Sequence, residues 1–356
     1  MYQPIPINRT IKPAVKPAPG TPLGFGQLFT DHMFIMDYTE GRGWINPRIE
    51  PYAPICLDPS TIVFHYGQAV FEGLKAYRTA DGSINLFRPI LNFERMNTSN
   101  ARMVIPPVDP AFCVHCLKEL IRVDQDWVPT DPGTSLYIRP FIFATDAHLG
   151  VSPSQTYRFM IILSPSGAYY PEGIKPVNIY VEAEYVRAVK GGTGYAKTPG
   201  NYASSLISQA NAHAAGYVQV LWLDGVHRRY IEEVGSMNVF FVIDDQLVTP
   251  ALNGSILPGI TRRTVIELAE AMNIPIEERA IAIDELAELA RADRVSEVFG
   301  SGTAAIISPV GKLKYNDDVM IFNDGQIGKL SQIFYDTITA IQYGQHPDAF
   351  GWTEKV

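Results

Sequence analysis

The stretch Gly191-Gly192-Thr193-Gly194-Tyr195-Ala196-Lys197-Thr198-Pro199-Gly200-Asn201-Tyr202 constrains this chain more than any other. It holds one lysine among small, permissive neighbours. Four glycines and a proline make it a loop, because glycine supplies positive φ and proline fixes the chain. Residues 201–216 then read as a helix, with Leu206, Ile207, Ala210 and Ala214 at helical spacing. Lys197 therefore sits on a tight loop before a helix. With little competing charge nearby, a lysine held there can lose its proton and act as an amine nucleophile. Taken alone, a loop lysine is ordinarily a solvated charge. The rest of the chain decides between these readings.

A length of 356 residues exceeds one ordinary domain and suits two. Hydrophobic residues make up 46% and charged residues 19%, which fits a soluble globular protein with sizeable cores. A net charge of −8 disfavours nucleic acid and anionic membrane as partners. Three cysteines (Cys56, Cys113 and Cys116) are too few for a disulfide framework and point to a reducing, cytoplasmic compartment. Cys113-Val114-His115-Cys116 has metal-like spacing, but no second Cys/His pair completes a site, so no metal is expected. Residues 1–22 are expected to form an extended arm. Pro4, Pro6, Pro13, Pro17, Pro19 and Pro22 would break the amphipathic helix of a transit peptide.

After the arm, strands are expected at 32–38, 62–67, 74–79 and 83–87, the last two joined by the turn Ala80-Asp81-Gly82. Residues 44–51 read as a turn-rich return. Helices are expected at 92–104 and 110–127, and strands at 135–143 and 157–163. The Pro/Gly/Ser-rich run at 166–176 reads as a linker. This gives a smaller N-terminal domain over 23–165 and a larger C-terminal domain over 177–356. In the latter, strands are expected at 177–183, 218–224, 237–243, 246–249, 294–299 and 306–310. Helices are expected at 261–273, at 284–292 with Asp284 as cap, and at 329–343. The fold class is α/β and α+β in two domains.

Four chemical parts recur in the second half. Lys197 can hold an aldehyde. Glu233, at the start of an apolar strand, is a carboxylate that burial would make costly without a cation; a protonated pyridine ring would serve. Leu257-Pro258-Gly259-Ile260-Thr261-Arg262 runs into a helix, so free N–H groups and the Thr261 hydroxyl can cup a phosphate. Arg95 can add a charged contact. Phe299-Gly300-Ser301-Gly302-Thr303-Ala304 can aim N–H groups at an anion. It is neither a P-loop nor a dinucleotide fingerprint. These parts match pyridoxal phosphate chemistry. Each has an ordinary alternative: a strand-end carboxylate, a capped helix, a surface arginine.

In order along the chain, they resemble a family. Glu233-x-Gly235-x-x-Asn238-Val239-Phe240, Thr249 and the 257–262 run resemble the class IV aminotransferases, the fold-type IV pyridoxal phosphate enzymes with a D-amino-acid-aminotransferase-like architecture. Phe29 to Met33, His65-Tyr66, Phe71-Glu72-Gly73-Leu74, Leu86 to Pro89, Tyr137 to Pro140, Lys190 to Gly194, Gly200 to Tyr202 and Phe299 to Ala304 are similar to the branched-chain aminotransferases.

The resemblance implies ping-pong transfer of the amino group of leucine, isoleucine or valine to 2-oxoglutarate on pyridoxal 5'-phosphate. Such a reaction closes the biosynthesis of these amino acids or opens their degradation. By the same resemblance, Lys197 would be the Schiff-base lysine and the acid–base that moves the α-proton. Glu233 would bind the pyridine nitrogen and Tyr202 the ring hydroxyl, while Arg95, Ser236, Ile260, Thr261 and Thr303 would complete the cofactor site. Phe29, Tyr66, Phe71, Tyr137, Arg139, Tyr170, Thr303 and Ala304 would meet the substrate. Leu149 and Val151 would reach a neighbouring subunit's site, implying a homodimer with the active site near the interface. Some relatives carry a redox Cys-x-x-Cys after the Thr-Ala pair; here those places are Ala305 and Ser308, so no thiol switch is expected. Two alternatives stay open: a D-amino-acid aminotransferase or aminodeoxychorismate lyase on the same cofactor, and a non-catalytic phosphate-binding protein, which would leave Lys197 and Glu233 without a task.

Overall fold

The computed structural model describes residues 2–168 and 173–356. The chain divides into two compact units. The first is Met1–Pro171, Ala196–Pro199 and Ala340–Val356; the second is Glu172–Tyr195 and Gly200–Thr339. Two segments thus fall on the other side of the boundaries expected from sequence. The lysine segment Ala196–Pro199 belongs to the first unit because its backbone is bonded there, and the C-terminus because Thr353–Lys355 adds an edge strand to that unit's sheet. Part of the expected linker, 169–172, lies outside the described residues.

The first unit contains β1 (His32–Thr39), β2 (Gly43–Pro51), α1 (Ile62–Tyr66), β3 (Ala69–Phe71), β4 (Leu74–Arg78), β5 (Ile84–Phe87), α2 (Pro89–Met103), α3 (Pro110–Val123), β6 (Ser135–Ala144) and β7 (Thr156–Ser166). The sheet runs from Thr353–Lys355 through β5-β4-β6-β7-β1-β2, with β3 also on β6. Helix α2 starts on Pro89, where proline's fixed φ and missing N–H cost nothing. It drives Phe93 and Met96 into the sheet core. Helix α3 is capped by the Asp109 carboxylate, which accepts from the Ala111 and Phe112 N–H groups. Cys113 and Cys116 are buried in this core as free thiols, and burial pushes both above their ordinary range.

The arm is fastened at intervals. Thr10 N–H donates to His32 Nε2, Ala14 N–H to Asp31, and Gly20 N–H to Asp131. His32 Nδ1 in turn lies 2.6 Å from the buried Asp124 carboxylate.

Three readings change in this unit. Residues 62–66 form one helical turn instead of a strand. Gly67, at φ 59°, closes it by donating to the Val63 carbonyl, so local turn chemistry overrides the β-rich composition. Residues 43–51, read as a return, are a full strand on β1; a bulge opposite Met36, with Asn46 at φ 55°, absorbs Pro47. The second expected helix ends at Val123, followed by a short 3-10 turn over Gln125–Trp127.

The second unit contains β8 (Val177–Glu182), α4 (Pro199–Ala203), α5 (Leu206–Ala214), β9 (Gln219–Leu223), β10 (Ile231–Val234), β11 (Met237–Ile243), β12 (Gln246–Thr249), α6 (Ile260–Ala271), β13 (Ile276–Glu278), α7 (Ile283–Arg291), β14 (Val295–Gly302), β15 (Ile306–Tyr315), β16 (Asp318–Ile321) and α8 (Lys329–Gln342). The order is β10-β9-β8-β15-β14-β11-β12-β13, with β16 on β15. Because β10 also pairs with β11, six strands close a ring: β10-β9-β8-β15-β14-β11. Closure removes the open edges. It also explains the apolar run of β11, all seven residues of which are buried.

The single helix expected over 201–216 is two. Ser204 Oγ donates to the Asn201 carbonyl and Ser205 Oγ to the Tyr202 carbonyl, and these bonds interrupt the helix. Asp284 is not the cap of α7. Ala282 holds that position, donating its N–H to Glu285, while Asp284 lies in the first turn. Helix α8 is capped by a carboxylate from β14. Glu297 accepts from Leu330 N–H at 2.8 Å and from Ser331 N–H at 3.0 Å and hydroxyl at 2.9 Å. Glu297→Ala removes this cap and should cost about 1–2 kcal/mol; a lower urea midpoint, with the α8 N-terminal amides losing hydrogen-exchange protection first, checks it.

Candidate active site

In the first unit the site is built around the backbone of Lys197. Its N–H donates to Ser99 Oγ at 2.8 Å, and its carbonyl accepts from the Phe71 N–H at 3.0 Å. Thr198 Oγ1 donates to the Ala69 carbonyl at 2.8 Å. The lysine is thus clamped between α2 and β3 by three bonds from two consecutive residues. Its Nζ lies 4.8 Å from the Phe71 ring centroid. Burial lowers the amine's proton affinity, and the Arg95 charge lowers it further; Glu72 opposes them, and the net value falls from 10.5 to about 8.

Arg95 and Glu72 form a buried fork. Arg95 Nε meets Oε1 and Nη2 meets Oε2, both at 2.8 Å, and Glu72 has no exposed surface. Asn92 Nδ2 adds a third donor at 2.9 Å. Burial alone would push the carboxyl up, but the charge and hydrogen bonds of Arg95, with the charge of Lys197, hold it below its ordinary range. Asn92, Arg95 and Ser99 recur at helical spacing on α2, so one helix face serves both Glu72 and Lys197.

Tyr137 and Arg139 project from β6. Arg139 Nη2 donates to the Tyr137 hydroxyl at 2.9 Å, and the guanidinium lies 4.8 Å from the Phe71 ring centroid. Arg139 Nε is buried without a hydrogen-bond partner among the described residues. A Cβ on Gly73 would lie 2.2 Å from the Tyr137 hydroxyl, so that tyrosine's seat requires a glycine. Phe25, not Phe29, packs on Tyr137, edge to face at 4.8 Å, while Phe29 stacks on Tyr52 at 5.0 Å. Tyr66 donates its hydroxyl to the Leu149 carbonyl. Leu149 and Val151 are 65% and 82% exposed. Tyr170 lies outside the described residues.

In the second unit Glu233 sits on β10, in register with Trp222 on one side and Asn238 on the other. It is 3% exposed; Leu257 N–H donates to Oε1 at 2.8 Å, and Arg187 Nε lies 3.3 Å from Oε2. Arg187 also donates to the Ser255 carbonyl. The same strand's Glu232 takes Asn253 and Ser255, so the loop before α6 is bonded to both glutamates. Asn238 Nδ2 holds the Leu257 carbonyl at 2.9 Å, and a Cβ on Gly259 would lie 2.0 Å from Asn238 Oδ1. Gly259 can therefore only be glycine while Ile260 and Thr261 begin α6. Met237 lies against both Gly300 and Gly302, and a Cβ at either would crowd it; Thr303 and Ala304 follow in a half-buried turn. Tyr202 is half-buried on α4, its carbonyl holding Ser205, and Ser236 is exposed on the turn between β10 and β11. Ala305 and Ser308 are buried, and neither is a thiol.

The structure therefore gathers Lys197, Arg95, Phe71, Tyr137 and Arg139 in the first unit, and Glu233, Ile260 and Thr261 on adjoining elements of the second. Sequence reasoning missed Glu72, Ser99, Thr198, Arg187 and Phe25. The spacing of Asn92, Arg95 and Ser99 on one helix was the available signal for the α2 face. Nothing in the sequence marks Arg187 as the partner of Glu233.

Comparison with known proteins shows the family. Residues 69–313 match the family model described as amino-transferase class IV, and the chain belongs to that family. It is 56% identical over 350 residues, 98% of each chain, to branched-chain-amino-acid transaminase 1 of Bacillus subtilis (strain 168). Among solved structures it is similar to the Escherichia coli branched-chain amino acid aminotransferase, with TM-score 0.77, 28% identity, and 91% and 98% of the two chains covered. It is also similar to a T.th. branched-chain amino acid aminotransferase solved with pyridoxamine 5'-phosphate, with TM-score 0.73, 25% identity, and 90% and 97% covered.

Gly73→Ala should displace Tyr137 and, through it, Arg139. Activity should fall by about tenfold or more as a misplacement of about 1 Å propagates, while melting changes little; a crystal structure with Tyr137 unmoved would contradict this.

Proposed function

We propose that the protein is a branched-chain-amino-acid:2-oxoglutarate aminotransferase that uses pyridoxal 5'-phosphate. The observation that carries this reading is an amine, that of Lys197, lowered to about 8 and locked by its own backbone bonds to Ser99 and Phe71. Close similarity to the Bacillus subtilis transaminase supports the reaction and substrate class. The solved relative with pyridoxamine 5'-phosphate supports the cofactor.

The donor set fits that group. Lys197 supplies the amine for the aldehyde, and Glu233, buried against Arg187, supplies a carboxylate to face a pyridinium. Arg95, Thr303 and the first turn of α6 at Ile260 and Thr261 supply cation, N–H groups and hydroxyl for a phosphate. Ser301 Oγ, beside Thr303 in the chain, is buried with no partner among the described residues. Tyr202 is assigned to the ring hydroxyl and Ser236 to the edge of the cofactor site. When bound, the cofactor supplies an electron sink for the substrate's α-carbon.

Every other role belongs to the chain. At neutral pH an amine lowered to about 8 holds its proton most of the time yet releases it far more readily than an ordinary lysine, so Lys197 can both take and return the α-proton. Arg139, with its buried Nε unmatched, offers a cation for a carboxylate, and Tyr66 and the Thr303-Ala304 backbone assist. The rings of Phe71 and Tyr137, with Phe29 and Tyr170 also assigned to the wall, select an apolar side chain. We assign Leu149 and Val151 to a homodimer contact that reaches the partner's site. Their exposure, together with 60% for Phe64 and 41% for Tyr66, supports it. A cytoplasmic location is supported by three cysteines, all free.

Four measurements test this reading. An amino-donor panel with 2-oxoglutarate should turn over leucine, isoleucine and valine; turnover of D-alanine alone would move the protein to the D-amino-acid branch of the family. Lys197→Ala should lose ~10²–10⁴-fold or more, and borohydride should fix the cofactor to the peptide containing Lys197. Arg139→Ala should slow the glutamate half-reaction by about tenfold or more, as loss of a charged hydrogen bond implies. It should affect the leucine half-reaction less; equal losses would count against that role.

A further inference from the structure

Glu72 has no task in the roles assigned above, yet it is the most completely buried carboxylate at the site and accepts four hydrogen bonds. Two come from Arg95 and one from Asn92, with the fourth from the Gly73 N–H at 3.3 Å. It follows Phe71, whose N–H holds the Lys197 carbonyl, and it faces the α2 side chains on the turns that carry Arg95 and Ser99. A charge this expensive to bury is tolerated only when paired. Here the pairing also decides what Lys197 experiences. The charged and titratable groups acting on that amine are Arg95 from α2, Glu72 from the end of β3, and Tyr137 and Arg139 from β6.

We propose that Glu72 is a positioning residue: its carboxylate sets the orientation of the Arg95 guanidinium and offsets that guanidinium's charge at the Lys197 amine. The proposal rests on the aminotransferase reading for its catalytic meaning but not for its physics. Two cations side by side in a dry site would repel, and the amine would be stripped of its proton at neutral pH. It would then be a nucleophile without being an acid. The carboxylate restores the balance that a group serving both as base and as acid requires. The fork also takes Nε and one edge of Nη2, so Glu72 fixes which edge of the guanidinium is presented to other partners.

The test follows Lys197 directly. The full-length chain, prepared without cofactor, is treated with formaldehyde and borohydride across a pH range of roughly 6–11 that brackets the lowered and ordinary lysine values, and methylation of the Lys197 peptide is read by mass spectrometry. The wild type should be half-modified near pH 8. Glu72→Gln should move that midpoint down by about one unit or more, the size expected for losing a charge at close range. Glu72→Asp keeps the charge and loses the fork, so it should restore most of the midpoint while weakening binding of inorganic phosphate by about tenfold. Glu72→Gln combined with Arg95→Met removes both charges and should return the midpoint towards that of the wild type. A Glu72→Gln midpoint equal to or above the wild-type value, or a double variant that stays shifted, overturns the proposal. Should the wild type transaminate nothing and bind no cofactor while these shifts hold, the aminotransferase reading fails and the coupling stands.

Discussion

The anchoring of residues 196–199 is the constraint on which the site depends. A lysine whose backbone were free would sweep its amine through a volume of many cubic ångströms, and no orientation would be favoured. Here the amide and carbonyl of Lys197 are each taken by a different element, and Thr198 is tied to a third point. The flanking glycines make the crossing possible. A Cβ on Gly194 would lie 2.0 Å from the Ser255 carbonyl, so the chain can approach there only without a side chain. Thr193 and Asn201, bonded side chain to side chain at 2.7 Å and again to the Thr193 carbonyl at 2.9 Å, close the loop on either side of the lysine segment. Rigid placement of one amine thus needs permissive residues around it and polar ties within it.

Much of this was legible. The lysine loop, the apolar β11 run and a helix starting within one residue of 261 announce themselves by composition, because glycine, proline and uninterrupted β-branched or aromatic runs have few other uses. Tyr137 and Arg139, two apart on a strand, share a face by the period-2 rule. What stayed hidden depends on partners distant in sequence. Asp284 looks like a cap because capping is a local pattern, but the helix begins at Ile283 and Ala282, two residues before Asp284, takes the position. Phe29 looks as eligible as Phe25, since both are aromatic residues in one irregular segment. Only the stacking of one on Tyr52 and the other on Tyr137 separates them. The division of the chain was hidden for the same reason: Ala196–Pro199 lies well past the expected linker, yet its hydrogen bonds lead back to residues 69, 71 and 99.

Two of the buried carboxylates, Glu72 and Glu233, are accommodated in the same way in separate units. Each meets an arginine, and each also accepts a neutral donor: Asn92 Nδ2 in one case and the Leu257 N–H in the other. Arginine suits this better than lysine. Its guanidinium stays charged when buried, whereas a buried lysine holds its proton less tightly, as both Lys75 and Lys197 show by falling to about 8. Chemistry that needs one labile amine among fixed charges therefore calls for this division of labour. The groups that must stay ionised are paired with arginine. The lysine that must exchange its proton sits among opposing charges, those of Arg95 and Glu72, with an aromatic ring near its amine. Replacing either arginine by lysine would preserve formal charge and still fail, because the substitute would share the very property that makes Lys197 useful.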